Sequence, residues 1–159
     1  AYSTAIILTE LGLMHKSIIY ATDFNPVVIE EAKNSLYSIE RFNKAKKACE
    51  ELNFKIPLDT YFDINTKFVK VKEHLKINVL FFVHNLEKDS VFNEFDMIEC
   101  KNVMIYFNEE LKQNIFKMFY DSLKFGGHLF LGPSEMLPKN FEYRFEVYDD
   151  VNKIYMKVA

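Results

Sequence analysis

The stretch from Phe95 to Phe107 reads FDMIECKNVMIYF, and the rest of the chain is organised around it. Its first half, Phe95 to Cys100, predicts a short buried strand. Its second half is too apolar for an ordinary loop and too short for a helix, and a helix is predicted to start at Asn108. Sheets of α/β proteins bind ligands at the carboxyl ends of their strands, so a ligand site here is one interpretation. Plain core packing is the other.

Composition narrows the class of protein. The 159 residues are 49% apolar, which fits one globular domain with its own core. The net charge of −3 argues against a general nucleic-acid surface. Cys49 and Cys100 have no disulfide or metal spacing, the histidines are scattered, and no secretion signal is visible, so we expect a cytoplasmic protein without a metal site. The longest apolar runs, such as 78–83, fall far short of the roughly 18 residues that cross a bilayer, so no membrane insertion is expected.

Helical and strand-like segments alternate along most of the chain. Asn25 is a good helix N-cap and Pro26 a good first helical residue. The sparse glycines make the pair Gly126-Gly127 a turn signal. The predicted helices are 1–13, 26–35, 37–52 and 109–123, with a short turn or helix at 58–62, and the predicted strands are 17–21, 67–72, 79–83, 95–100, 128–132, 141–148 and 153–158.

The alternation predicts an α/β fold with a mainly parallel sheet and helices on both faces. The last two strands, joined at Asp149-Asp150, predict an antiparallel hairpin at the C-terminus. The strands at 67–72 and 79–83 form either a hairpin or a small excursion from the main sheet. A mainly parallel sheet that closes with an antiparallel hairpin is the topology of the class I, Rossmann-like methyltransferase fold. The likeness is at the level of the fold alone.

Polar residues follow four of the predicted parallel strands. They are Asp23, Asn85, the Cys100-Lys101-Asn102 run and Glu135. Asp23 is either a ligand for ribose hydroxyls or an acid at a helix N-terminus, and spacing does not decide between the two. An amide such as Asn85 can pair with the edge of a nucleobase, although taken alone a turn residue is the better interpretation. Four such endings in succession favour one shared cleft.

Several of these segments match one family. Ala21-Thr22-Asp23, Asn85-Leu86 and Phe95 to Phe107 resemble its Ala-Thr-Asp, Asn-Leu-Leu and Phe-Asp-x-Ile-x-Cys-Arg-Asn-Val-Met-Ile-Tyr-Phe motifs. Lys124 to Gly127 and Gly132 to Glu135 resemble its Lys-Pro-Gly-Gly and Gly-His-Ser-Glu motifs. The family is that of the chemotaxis-receptor glutamate methyltransferases, the CheR family. The chain resembles them in order over almost its whole length.

The resemblance implies that residues 1–159 form an S-adenosylmethionine-binding methyltransferase domain. It implies transfer of a methyl group to glutamate side chains of chemotaxis receptors, with S-adenosylhomocysteine as product and the receptors' cytoplasmic domains as protein partners. The site residues that follow are Asp23 at the ribose, Asn85 and Leu86 at the adenine, Cys100 and Lys101 bordering the cofactor, Tyr106 near the reacting methyl, and Phe24 as an apolar wall.

The chain also departs from the family pattern. Lys101 replaces an arginine, and Pro133 replaces a histidine. The small β-subdomain, expected near 64–83, looks shortened, which puts docking of a receptor tail in doubt. Tyr2-Ser3 resembles the end of the family's glycine-rich motif, so the first strand and the glycine-rich loop are expected before Ala1. That strand would lie between the strands that end near Asp23 and Asn85, and we expect residues 1–159 alone to be inactive.

The chemistry needs alignment more than proton transfer. A glutamate side chain has a reference pKa of about 4.3 and is already an anion near neutral pH, so no general base is required. The enzyme has to align the carboxylate with the methyl group and exclude water. Tyr106 can orient the carboxylate through its hydroxyl, although a core tyrosine bonded to the backbone is the plainer interpretation of the residue alone. Two other functions stay open: a catalytically degenerate regulatory or interaction module, and another class I methyltransferase.

Overall fold

The computed structural model describes residues 1–91 and 93–159. These residues form two compact units, 1–84 and 85–159, and each unit has its own buried apolar cluster. The first unit contains α1 (Tyr2–Glu10), β1 (Ile19–Asp23), α2 (Pro26–Asn34), β2 (Leu36–Ser38), α3 (Ile39–Glu51), β3 (Phe62–Ile64), β4 (Phe68–Val71) and β5 (Val79–Val83). The second unit contains β6 (Phe95–Cys100), α4 (Glu109–Ser122), β7 (Leu123–Leu131), β8 (Phe145–Asp149) and β9 (Ile154–Lys157).

A parallel pair of strands forms the first sheet of unit 1. β1 pairs with β5 from Ile19 opposite Val79 to Asp23 opposite Val83. The further strand predicted between these two was placed before Ala1, outside residues 1–159, so it stays a prediction. The facing N–H and C=O groups of β1 and β5 bond to each other directly, which is how buried backbone groups avoid being left unpaired.

The start of α2 follows the predicted capping pattern. The side chain of Asn25 accepts a hydrogen bond from the N–H of Val27 at 2.9 Å, and Pro26 is the first helical residue. At its C-terminus, Ser35 takes the left-handed conformation with φ of 56°. The helix predicted for 26–35 is therefore confirmed to within one residue.

A small antiparallel sheet, in the order β2-β4-β3, forms the second sheet of unit 1. Its central strand buries Val69 and Val71 completely. The small β-subdomain was predicted near 64–83. In the structure its three strands lie within residues 36–71, and residues 79–83 form β5, which pairs with β1 instead. The hairpin alternative for 67–72 with 79–83 is wrong. The helix predicted from residue 37 starts at Ile39, because 36–38 form β2.

The second unit contains a four-stranded sheet in the order β6-β7-β9-β8. β6 and β7 are parallel, while β9 is antiparallel to both of its neighbours. The strand predicted at Phe95–Cys100 is confirmed at both ends, and the C-terminal antiparallel hairpin is confirmed as well. Helix α4 buries Ile115 and Phe116 against this unit's core, and Asn108 caps it by accepting from the N–H of Leu111 at 2.9 Å.

The predicted turn at 124–127 lies inside β7. The register of β6 against β7 shifts from Phe95 opposite Leu123 to Met97 opposite His128, so residues of β7 bulge out between these pairs. Gly126 sits in the bulge with φ of 76°, a conformation that favours glycine. The Gly-Gly signal therefore marks an irregularity in a strand and not its beginning.

The fold class is α/β, as predicted, with parallel pairs in both units and an antiparallel C-terminal hairpin. Within the described residues, the helices are all too short or too polar to cross a bilayer.

Candidate active site

Asp23 is the last residue of β1 and is half-buried. Its Oδ1 accepts a hydrogen bond from the N–H of Asn25 at 2.8 Å, which ties it to the turn before α2. A carboxylate offers about four acceptor positions, so this bond leaves room for ligand hydroxyls. The next residue, Phe24, is 71% exposed. The structure therefore gives Asp23 a turn-forming role without using up its capacity to bind.

A cleft of about 230 Å³ lies beside Asp23 within the first unit. Tyr2 contributes to its wall and donates its hydroxyl to the carbonyl of Ala32 at 3.1 Å. Burial raises the pKa of Tyr2 to about 12, with a smaller contribution from Tyr37. The hydroxyl is therefore a neutral donor. Pockets for drug-sized ligands usually measure about 300–1,000 Å³, so this cleft fits one part of such a molecule.

Asn85 begins a tight turn at the start of the second unit. Its side-chain oxygen accepts from the N–H of Glu87 at 2.8 Å, and its own N–H donates to Oδ2 of Asp89 at 2.7 Å. This is the turn role that the residue alone suggests, and its side-chain NH₂ group is not needed for it. Leu86 packs against the core of the same unit.

Cys100 ends β6 with its side chain in the core, only 8% exposed. Burial, and then the negative charge of Glu135, raises the pKa of the thiol to about 12. The thiol is thus neutral and behaves as a small apolar group. Beside it, Nζ of Lys101 lies 2.8 Å from Oε1 of Glu99 and 5.8 Å from the ring centre of Phe130. Lys101 thus forms an ion pair with an acid of β6, the strand that it follows.

The buried acid of this unit is Glu135, which is 3% exposed. Its Oε1 accepts from the N–H groups of Val103 and Met104 at 2.8 and 2.7 Å. Its Oε2 accepts from the N–H groups of Asn102 and Gly132 at 2.9 and 2.6 Å. Successive main-chain N–H groups that converge on one anion form a nest, and Asn102 enables it with φ of 60°. We call these four bonds the Glu135 clamp.

Gly132 donates its N–H to the clamp, and the clamp leaves no room for a side chain at this position. A Cβ on Gly132 would lie 2.7 Å from Oδ1 of Asn102, 2.7 Å from Oε2 of Glu135 and 2.8 Å from the N of Asn102. The Gly-Pro-Ser-Glu segment is also a turn, in which the N–H of Glu135 donates to the carbonyl of Gly132 at 3.0 Å. Pro133 occupies the second position of this turn, where its fixed φ is favourable.

Tyr106 lies on a single 3₁₀ turn, Met104–Tyr106, directly after the clamped residues. Its N–H donates to the carbonyl of Val103 at 3.2 Å, and the N–H of Phe107 donates to that of Met104 at 3.1 Å. Met104 is buried, whereas Tyr106 is 80% exposed. The alternative interpretation of Tyr106 as a core tyrosine is therefore wrong.

A model of the CheR methyltransferase SAM-binding domain matches residues 1–153. The chain belongs to the CheR family. Among curated relatives, it is 34% identical over 157 residues to a Pseudomonas putida protein named "Putative methyltransferase Cher3", a match that covers 98% of this chain and 58% of that protein. Two proteins named chemotaxis protein methyltransferase, from Listeria innocua and Borreliella burgdorferi, are 32% and 34% identical over 143 and 151 residues. Each match covers 89% of this chain, and 51% and 50% of the respective relative.

The chain thus spans about half the length of the curated relatives it matches. Within this CheR domain, the predicted site residues fall into two groups, one in each unit. Asp23 and Phe24 stand at the carboxyl end of β1, and the other five, Asn85, Leu86, Cys100, Lys101 and Tyr106, belong to the second unit. Their roles at a cofactor stay predictions.

From sequence, Glu135 was a polar strand ending and the last residue of a segment that resembles a family motif, but it had no predicted partner. Three of the clamp's four bonds join residues 31 to 33 positions apart, so no local pattern shows them. Two local signals do point toward the clamp: Asn102, a residue type that tolerates the left-handed conformation, and the Gly-Pro-Ser-Glu turn.

Proposed function

We propose that the protein containing this chain transfers a methyl group from S-adenosylmethionine to glutamate side chains of chemotaxis receptors. One observation carries the proposal. In a domain of the CheR family, Tyr106 is exposed beyond the carboxyl end of a parallel strand, on a turn that a buried carboxylate holds in place. An exposed tyrosine hydroxyl on a fixed turn suits the orientation of a substrate carboxylate.

The chemistry of the donor set fits the cofactor. Asp23 retains acceptor positions for ribose hydroxyls, and Asn85 keeps an NH₂ donor for an adenine edge. Leu86 and Phe24 supply apolar surface, and Cys100 contributes a neutral wall. Lys101 would attract a negative group of the cofactor through its single ammonium charge, because a lysine cannot form the bidentate hydrogen bonds of an arginine. S-adenosylmethionine, when bound, supplies an activated methyl group on a sulfonium.

The residues of the chain then have two tasks. The hydroxyl of Tyr106 donates to one oxygen of the substrate glutamate and leaves the other oxygen to react, so the carboxylate remains an anion until that oxygen takes the methyl group. Phe107, which follows the turn, provides apolar surface that helps to exclude water from the reacting groups. No residue has to remove a proton.

The proposed partner is the cytoplasmic domain of a chemotaxis receptor, and the proposed location is the cytoplasm. Relatives named chemotaxis protein methyltransferase support both. A catalytically degenerate regulatory module and a methyltransferase for another substrate are the outcomes that a test has to separate from this proposal.

The test uses the complete protein. Calorimetry with S-adenosylhomocysteine measures cofactor binding, and transfer of labelled methyl groups to a receptor cytoplasmic domain measures activity. If the protein does not bind the cofactor, the degenerate regulatory module is supported. If it binds the cofactor but does not methylate the receptor, a methyltransferase for another substrate is supported. Methylation that disappears when the receptor's glutamates are changed to alanine supports the proposal.

Tyr106→Phe tests the proposed catalytic hydroxyl. Hydrogen bonds to charged groups are worth about 1.5–3 kcal/mol, so we expect kcat to fall about 10- to 100-fold with cofactor affinity unchanged. Tyr148→Phe is the matched control, since Tyr148 is also an exposed tyrosine of the second unit. An unchanged turnover of Tyr106→Phe would remove Tyr106 from the mechanism.

A further inference from the structure

We propose that Glu135 is a positioning residue for methyl transfer, because it fixes the turn that carries Tyr106; this inference rests on the function proposed above. Glu135 is 3% exposed and all four of its acceptor contacts are with main-chain N–H groups. It therefore does not touch a substrate. Its effect on the reaction is exerted through the backbone of Asn102 to Met104.

The clamp reaches Tyr106 through a short chain of hydrogen bonds. Glu135 holds the N–H groups of Val103 and Met104. The carbonyl groups of the same two residues accept from the N–H groups of Tyr106 and Phe107. Val103 and Met104 thus each have both their N–H and their C=O bonded, which leaves the 3₁₀ turn little freedom to rotate.

Both ends of the clamp are anchored on neighbouring strands. Cys100, just before the nest, is opposite Leu131, just before Gly132, in the parallel pair β6–β7. The turn at 132–135 then directs the Glu135 side chain back toward the nest, and its N–H bond to Gly132 closes that turn. The clamp therefore fixes the backbone of the turn that carries Tyr106 relative to strands β6 and β7.

The clamp does more than stabilise the fold. Burying a carboxylate costs free energy that its hydrogen bonds have to offset, and an apolar side chain in its place would leave the N–H groups of the clamp unpaired. Four main-chain bonds to one side chain also specify a single backbone conformation, with a left-handed Asn102, beside the one strongly exposed aromatic of this turn. That conformation is what the proposed alignment of the substrate needs.

Glu135→Gln in the complete protein tests the inference. Glutamine keeps the shape but replaces one acceptor oxygen with an NH₂ group, which faces two N–H donors of the clamp whichever oxygen it replaces. By hydrogen exchange, we expect the amides of residues 102–104 to exchange at least about tenfold faster, with those in α4 unchanged. We expect kcat to fall about tenfold or more, with little change in KM for the receptor or in cofactor affinity, because misplacement by about 1 Å can cost two orders of magnitude in rate.

A double-mutant cycle with Tyr106→Phe separates positioning from general stability. If Glu135 acts through Tyr106, Glu135→Gln changes kcat less than about twofold once the Tyr106 hydroxyl is gone. Lys157→Met is the matched control. Lys157 donates to the carbonyls of Tyr120 and Leu123 at 2.7 Å, away from the nest, so its loss destabilises this unit while the folded protein keeps its kcat.

Additive effects of Glu135→Gln and Tyr106→Phe, or equal losses of kcat in Glu135→Gln and Lys157→Met, would overturn the positioning role. If Glu135→Gln does not fold, Glu135→Asp is used, since its carboxylate is one methylene too short to reach all four N–H groups. A wild-type protein that methylates no receptor overturns the proposed function instead. The exchange measurement then still decides on the clamp, because unchanged protection at residues 102–104 overturns it.

Discussion

Two acids lie near the carboxyl ends of parallel strands in this chain, and their surroundings differ. Asp23, the last residue of β1, is half-buried and its Oδ1 accepts one hydrogen bond from the N–H of Asn25. Glu135, after β7, is buried and accepts four. Both acids lie near the carboxyl end of a strand, but the first carboxylate retains acceptor positions, whereas those of the second are occupied by main-chain N–H groups.

The comparison separates two uses of one residue type. An acid that keeps acceptor positions at the solvent edge can bind a ligand, whereas an acid saturated by main-chain N–H groups determines the shape of the backbone. A polar residue at the carboxyl end of a strand is therefore a candidate ligand only after its main-chain partners have been counted. The following three changes test this division.

Gly132→Ala has the largest expected effect. A Cβ at Gly132 would contact Asn102 and Glu135 at 2.7–2.8 Å, and the clamp has to move to make room. Overpacking of this kind typically costs about 1–3 kcal/mol, and we expect about 2 kcal/mol in the free energy of unfolding, measured by urea denaturation of the complete protein.

Gly126→Ala is the control for that change. Gly126 has φ of 76° but open space around a Cβ, so its substitution carries only the cost of the backbone conformation, about 1 kcal/mol. Equal losses at the two glycines would show that the Glu135 clamp adjusts freely, and the contrast with Asp23 would lose its basis.

Asp23→Asn comes next. Asparagine keeps an oxygen for the N–H of Asn25, so stability should change by less than about 0.5 kcal/mol. Affinity for S-adenosylhomocysteine should fall about tenfold, equivalent to about 1.4 kcal/mol, because a charged acceptor for the ribose is lost. Calorimetry measures the affinity, with Asp63→Asn, an exposed acid on β3, as control. A variant that loses stability and keeps its affinity would place Asp23 with Glu135 among the structural acids.

Lys101→Met should have the smallest effect. Its ion pair with Glu99 is exposed, and such pairs contribute about 0–1 kcal/mol, so we expect little change in stability. Cofactor affinity should fall about threefold, or about 0.6 kcal/mol, if the lysine borders a bound cofactor as a point charge. Lys124→Met, which breaks the exposed pair with Asp96, serves as control. Equal affinities in the two variants would exclude Lys101 from the site.

Local signals predicted the parts of the fold that local chemistry decides. Strand β6 was predicted at both ends because its apolar run stops at a polar cluster, and the helix after Asn25 was predicted from its cap. Strand β2 was missed because three residues are too few for a periodic pattern, so its pairing with β4 depends on contacts distant in sequence.

Other features of the fold also depend on long-range contacts. The segments around Asp23 and Val83 do not indicate that β1 and β5 pair within these residues, since strand pairing depends on which strand edges are available. Likewise, the candidate residues at strand ends could be named from sequence, but whether Asp23 or Glu135 keeps acceptor capacity depends on main-chain groups up to 33 residues away.

The nest after β6 has a consequence for anion recognition. Three successive main-chain N–H groups, those of Asn102, Val103 and Met104, would attract a phosphate, sulfate or carboxylate from solution if they were vacant. In this protein the carboxylate of Glu135 already occupies these three donors. An incoming acidic side chain cannot use these donors and meets a neighbouring negative charge instead, so its recognition has to come from groups that point outward, as the side chain of Tyr106 does.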